Sequence, residues 1–161
     1  MNNITFIELA YQEAKKAIAR HDEPYGAIIV SAQGEIIASC GNEENTTMDP
    51  TSHAEMNAIR MACHNLNSKS LNGCSIYANY KPCPMCAAAI LMTGIKRIYV
   101  GSSFPGLTTL YTKVIESIEN SDVVLKDSLM AEKCQKQVDD ARIQMLLENP
   151  NYVSGHKSGI L

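Results

Sequence analysis

The chain has 161 residues, the size of one domain, with 45% hydrophobic and 19% charged residues, the profile of a soluble globular protein. Its net charge of −3 provides no general attraction for a polyanion, so a nucleic-acid partner would need a local basic patch. The most continuous apolar run, Ala87 to Met92, falls far short of the roughly 18–20 residues that span a bilayer, and the N-terminus lacks the apolar middle of a secretory signal. The expected compartment is therefore the cytoplasm, where six cysteines point to thiols or metal ligands before disulfides. One domain over 1–161 is expected, with about 149–161 as a C-terminal tail.

In chain order, Ile7, Tyr11, Ala14 and Ile18 mark one face of a helix over residues 4–20, and Thr5 with Glu8 reads as its capping box. Tyr25–Val30 and Glu35–Cys40, joined through Gln33-Gly34, read as a hairpin. A polar loop from Gly41 to Asp49 leads to Pro50 and Thr51 or Ser52, where a second helix is expected to begin and run to about Asn65. Next come a strand at Ser75–Ala78, a helix at Pro84–Thr93 and a buried strand at Ile95–Val100. A helical pattern then runs from Leu107 to Ile118, followed by a short strand at Val123–Leu125 and a last helix carrying Met130, Cys134, Val138, Ala141 and Met145. The order predicts an α/β fold: a three-layer α/β/α sandwich around a mixed sheet of about five strands, with an N-terminal hairpin and later parallel strands. Met56, Met61 and Met92 sit at helical spacing and are expected in the core.

Two short segments carry chemistry, His53-Ala54-Glu55 and Pro82-Cys83-Pro84-Met85-Cys86. Either is weak alone, but together they are expected by chance on the order of 0.002 times in such a composition. Residues two apart in mid-helix point about 200° from each other, so His53 and Glu55 can face one point only at a helix tip, where the Asp49-Pro50-Thr51-Ser52 lead-in puts them. Pro84 suits a first helical position and biases Cys83 toward a capping conformation, with Cys86 one turn on. Helix N-termini favour thiolates. One imidazole and two thiolates make a three-donor zinc set with a fourth place for water, hence an open, catalytic site. His64 lies about 16 Å farther along the helix axis and cannot close the set. Cys40, Cys74 and Cys134 occupy apolar patterns and read as buried thiols. The rivals from other classes are a Cys-x-x-Cys redox module and a structural zinc domain serving protein interaction.

These residues resemble the zinc-dependent cytidine-deaminase-like superfamily, whose base-deaminating members carry H-x-E and P-C-x-x-C. The resemblance covers about residues 4–148. Asp49 to Glu55 and Cys83 to Cys86 look most like bacterial guanine deaminases, with fungal-type cytosine deaminases and tRNA adenosine deaminases as near rivals. It implies that His53, Cys83 and Cys86 bind zinc and that Glu55 is the proton shuttle in a hydrolytic deamination of a free nucleobase, guanine first. It further implies substrate contacts from Asn42, the Tyr25 ring and the Ala54 N–H, and a lid contact from Tyr152, since the C-terminus of some guanine deaminases reaches over an active site. A homodimer is the expected assembly. Three departures bear on the substrate: Lys81 stands where relatives often have an acidic or hydroxyl residue, Ala78-Asn79-Tyr80 replaces a threonine-rich segment, and residues 101–115 carry no acid.

Overall fold

The computed structural model describes residues 2–103 and 123–152. The helical pattern expected from Leu107 to Ile118 lies outside the described residues, as does the tail beyond Tyr152.

Helix α1 spans Asn3–Ala19. Asn2 caps it, its Oδ1 accepting from the Thr5 amide at 2.9 Å and the Thr5 hydroxyl at 3.0 Å. The expected capping box at Thr5 and Glu8 is thus corrected: asparagine is the stronger cap, Thr5 becomes its donor, and Glu8 instead accepts from Lys133 at 2.6 Å. The inward face carries Phe6, Ile7, Ala10, Ala14 and Ala17, while Tyr11 and Ile18, expected on it, are half-buried. The alanines turn inward because the sheet comes so close. A Cβ on Gly26 would lie 2.1 Å from the Ala10 carbonyl oxygen and 2.6 Å from the Ala14 nitrogen, so no larger residue fits there.

Strands β1 (Gly26–Val30) and β2 (Ile36–Gly41) form the predicted hairpin, paired antiparallel from Gly26↔Gly41 to Val30↔Ile36. Gly34 takes φ +86° at its turn, a conformation that favours glycine. Strands β3 (Ser75–Tyr80), β4 (Arg97–Ser102) and β5 (Val124–Lys126) complete one sheet in the order β2-β1-β3-β4-β5. β3 runs antiparallel to β1, whereas β3–β4 and β4–β5 are parallel. This is the mixed five-stranded sheet that the element order implies. β4 begins two residues later than expected, although Ile95 is still fully buried.

All five residues of β1 are buried, and they alternate between two cores. Ala27 and Ile29 pack with Ala54, Ala58 and Ile59 of α3 (Ala54–Asn65) and with Ala87 and Ile90 of α4 (Pro84–Met92). Ile28 and Val30 pack with Phe6, Ile7 and Ala10 of α1 and with Cys134 of α5 (Ala131–Glu148). Helices therefore cover both faces of the sheet, and each fully buried isoleucine contributes about 1.5–3 kcal/mol. Cys40, Cys74 and Cys134 are buried as expected.

Two further expectations fail. The polar stretch 41–49 is not all loop, because α2 (Glu44–Thr47) forms inside it. The buried Asp22 carboxylate accepts from the Asn45 and Thr46 amides at 3.0 and 2.9 Å and from the Thr46 hydroxyl at 2.6 Å, a long-range template that local composition does not reveal. Nor are Met56, Met61 and Met92 core residues: Met92 is 87% and Met61 44% exposed, and Met56 is half-buried. Helical spacing defines a stripe but not which way it faces. Among the described residues, no helix is long and apolar enough to cross a membrane.

Candidate active site

Two helix tips meet beside the sheet. His53 is the N-cap of α3, with extended backbone (φ −67°, ψ 154°), one or two residues later than the helix start read from Thr51 or Ser52. The approach is set by an Asx turn, with the Thr51 amide and hydroxyl both 2.8 Å from Asp49 Oδ1. The Asn57 side chain adds bonds to the Gly41 and Ser52 carbonyls at 3.1 and 3.2 Å, fastening the α3 tip to the end of β2. Cys83 is the N-cap of α4, also extended (φ −69°, ψ 170°), with Pro84 in the first turn. Proline restricts its predecessor to this region.

His53 Nδ1 lies 3.5 Å from the Cys83 sulfur and 3.5 Å from the Cys86 sulfur, and all three donor atoms fall within 4.8 Å of one another. Bonds of about 2.3 Å to sulfur and about 2.0 Å to nitrogen would set the donors of a tetrahedral zinc roughly 3.5–3.8 Å apart. The arrangement fits that ion. Cys86 is fully buried and His53 is 7% exposed.

The electrostatics make the same demand. Burial opposes charge on His53, yet the Cys83 sulfur and the Glu44 carboxylate outweigh it and push the imidazole up to about 10. The Cys86 thiol is held far above its ordinary value, first by the Cys83 sulfur, then by burial and by Glu55. Acidic groups converge here, and without a metal their crowding keeps the proton on Cys86. Zinc would take the place of that proton.

The remaining residues singled out from sequence lie around this cluster. Glu55, in the first turn of α3, is buried at 5% exposure. Ala54 is the first residue of that helix and fully buried. Asn42 is fully buried next to β2, its Oδ1 accepting from the Glu44 amide at 3.0 Å and the Glu23 amide at 3.3 Å, its Nδ2 donating to Glu44 at 2.6 Å. Tyr25 is buried just before β1; its ring packs on Tyr80, centroids 5.7 Å apart, and its hydroxyl accepts from Arg142 of α5. Burial pushes its phenol far above the usual range, Arg142 partly offsets this, and Glu23, Tyr80 and Glu55 add to the rise. Tyr152 donates its hydroxyl to the buried Glu23 carboxylate. Lys81 pairs with Asp127 at 3.4 Å.

Sequence reading did not single out Glu44, Glu23 or Arg142. Only a carboxylate two positions after Asn42, and another two before Tyr25, hinted at the first two. Arg142 comes from 117 residues beyond its partner Tyr25 and left no local signal.

Comparison with known proteins agrees with this geometry. Residues 1–102 match the family model described as the cytidine and deoxycytidylate deaminase zinc-binding region. A tRNA-specific adenosine deaminase of Aquifex aeolicus is 44% identical over 93 residues, covering 58% of this chain and 61% of that protein. A guanine deaminase of Bacillus subtilis is 41% identical over 100 residues, covering 62% of this chain and 64% of that protein. The matched stretch thus spans less than two thirds of either relative. The solved structure of guanine deaminase from Bacillus subtilis superposes with a TM-score of 0.61 at 28% identity, covering 75% of this chain and 96% of that one.

Proposed function

The chain belongs to the cytidine and deoxycytidylate deaminase zinc-binding family, and from that premise we propose that it is a zinc-dependent hydrolytic deaminase of a free nucleobase, guanine first. The observation that carries the reading is the three-donor cluster, with His53 Nδ1 at 3.5 Å from both sulfurs and the buried Glu55 two residues along the same helix tip. When bound, zinc supplies Lewis acidity that makes water nucleophilic near neutral pH.

Glu55 takes up the proton that the attacking water gives away, holds it on its carboxylate and hands it to a ring nitrogen. Glu55 then takes the proton of the hydroxyl now on the attacked carbon and gives it to the amine. The C–N bond breaks, the carbonyl forms and ammonia leaves. A carboxylate suits the work because one group must act as base and then as acid within a turnover. Asn42 has two amide hydrogens; one goes to Glu44, and the other is assigned to the base. The Ala54 N–H is a further contact, Tyr25 covers the ring, and Tyr152 closes the side. A homodimer is part of the reading, with Met92 (87% exposed) and Leu147 (73% exposed) as apolar surface for it.

A small substrate is supported by the net charge of −3 and by the clamp that Arg142 and Tyr152 place on Tyr25 and Glu23. A second reading, deamination of adenosine in tRNA, is favoured by the 44% identity to the Aquifex protein. Ammonia release from guanine, cytosine, adenine, their nucleosides and a tRNA anticodon stem-loop separates them. The expected result is release from guanine, reduced about 10²–10⁴-fold in Glu55→Gln, with zinc content kept. Release from the stem-loop alone would establish the second reading, and wild-type rates in Glu55→Gln would end the proposed mechanism.

A further inference from the structure

A second carboxylate faces the metal donors from the side opposite the cysteines. Glu44 opens α2, and its side chain is only 11% exposed. One oxygen, Oε1, lies 3.6 Å from His53 Nε2. The other, Oε2, accepts from Asn42 Nδ2 at 2.6 Å. His53 meanwhile turns Nδ1 to both sulfurs at 3.5 Å. An imidazole that offers the Nδ1 lone pair to a cation carries its proton on Nε2, and here that proton is directed at Glu44.

The support beneath Glu44 is rigid. Asp22, fully buried, ties down the next two residues through the Asn45 and Thr46 amides at 3.0 and 2.9 Å. Arg20 binds Asp22 at 3.2 Å and the Asn42 carbonyl at 3.0 Å. Asn42 Oδ1 accepts the Glu44 amide at 3.0 Å, so the amide and the carboxylate fix each other. A buried carboxylate is costly without donors, and the Asn42 amide and the facing imidazole both serve it.

We infer that Glu44 is a positioning residue: one carboxylate holds the His53 imidazole in the Nε2–H form and accepts from the Asn42 amide nitrogen. The inference rests on the zinc reading of His53, Cys83 and Cys86. Removing the Glu44 side chain frees the imidazole to rotate and takes from Asn42 Nδ2 its 2.6 Å acceptor, while the Glu23 and Glu44 backbone amides still hold Oδ1. Partners of this kind are typically worth 10–100-fold in metal affinity. Glutamine at this position has a single acceptor oxygen and can satisfy one of the two donors but not both.

The test is Zn²⁺ affinity by competition with a chromogenic chelator, for the full chain as wild type, Glu44→Ala and Glu44→Gln. Thermal unfolding of the metal-free forms serves as the folding control. In parallel, ¹⁵N-labelled, zinc-loaded protein is examined for a slowly exchanging, downfield His53 Nε2–H proton. The expected result is zinc binding about 10–100-fold weaker in Glu44→Ala, an intermediate loss in Glu44→Gln, and loss of the slowly exchanging proton in Glu44→Ala. Wild-type zinc affinity and a retained imidazole proton in folded Glu44→Ala would overturn the inference while leaving the zinc reading intact. A wild-type chain that takes up no zinc would overturn the zinc reading itself, and the inference with it. Should Glu44→Ala fail to fold, Glu44→Gln carries the same comparison, and unchanged affinity there would overturn the inference.

Discussion

At the scale of single residues, neighbours rather than burial separate the cysteines by role. Cys83 and Cys86 stand at a helix tip beside His53, whereas Cys134 is fully enclosed between α5 and the sheet. Burial pushes the Cys134 thiol from 9.0 up to about 11, against a smaller opposing pull from Lys133. The sign of the linkage follows. Between about 9 and about 11 the unfolded chain has released this proton and the folded chain has not, so deprotonation favours unfolding. Stability should fall as pH rises through that window and level off above it. Thermal unfolding of wild type and Cys134→Ala from pH 8 to pH 11.5 checks this: the variant should lose a smaller part of its Tm. Parallel curves would show that Cys134 does not titrate as its burial requires. The residue scale is also where sequence was most informative, because His53, Glu55, Cys83 and Cys86 lie in two short motifs whose chemistry is explicit in their residue types. Glu44 was only hinted at and Arg142 was illegible there, since each acts across a contact that only folding creates.

At the scale of elements, the most constrained junction is the crossing of α1 over β1. Asn79 of β3 accepts from the Gly26 amide at 2.9 Å and donates to the Pro24 carbonyl at 3.0 Å and to Gln137 at 3.1 Å. It satisfies backbone groups at the start of β1 where the ladder does not, and it fixes the segment that ends in Tyr25. Gly26 itself has α1 backbone where a side chain would stand. Gly26→Ala should therefore push α1 off the sheet and lower stability by about 1–3 kcal/mol or more, read from denaturant unfolding. A variant within about 0.5 kcal/mol of wild type would mean that α1 is not packed as closely as described. Periodicity located α1, α3, α4 and α5 and the strands to within a few residues. It misjudged the outward methionines and missed α2, because facing and templating are properties of the neighbour, here the sheet and Asp22.

Across the whole molecule, the C-terminal third returns to the site that the first half builds. α5 sends Arg142 to the Tyr25 hydroxyl and Gln137 to Asn79 and to the Tyr11 carbonyl at 3.0 Å, and Tyr152 beyond it donates to Glu23. Glu23 in turn gives its amide to Asn42 at 3.3 Å, so the end of the chain is joined by hydrogen bonds to a residue assigned to the substrate. Ending the chain after Pro150 removes Tyr152, and with it a contact worth about 1 kcal/mol, or roughly fivefold. The expected outcome is a KM raised several-fold for the preferred base with zinc content unchanged; an unaltered KM would leave Tyr152 without a part in binding. The amino-acid sequence by itself determined the α/β class, the two motif helices and the zinc-type donor set, because helical and strand periods and ligand chemistry are written in local order. Only the tertiary structure decided which carboxylate faces His53, which arginine meets Tyr25 and which faces of the helices turn inward. Those depend on separations of a few ångströms between residues up to 129 positions apart, and no local pattern encodes them.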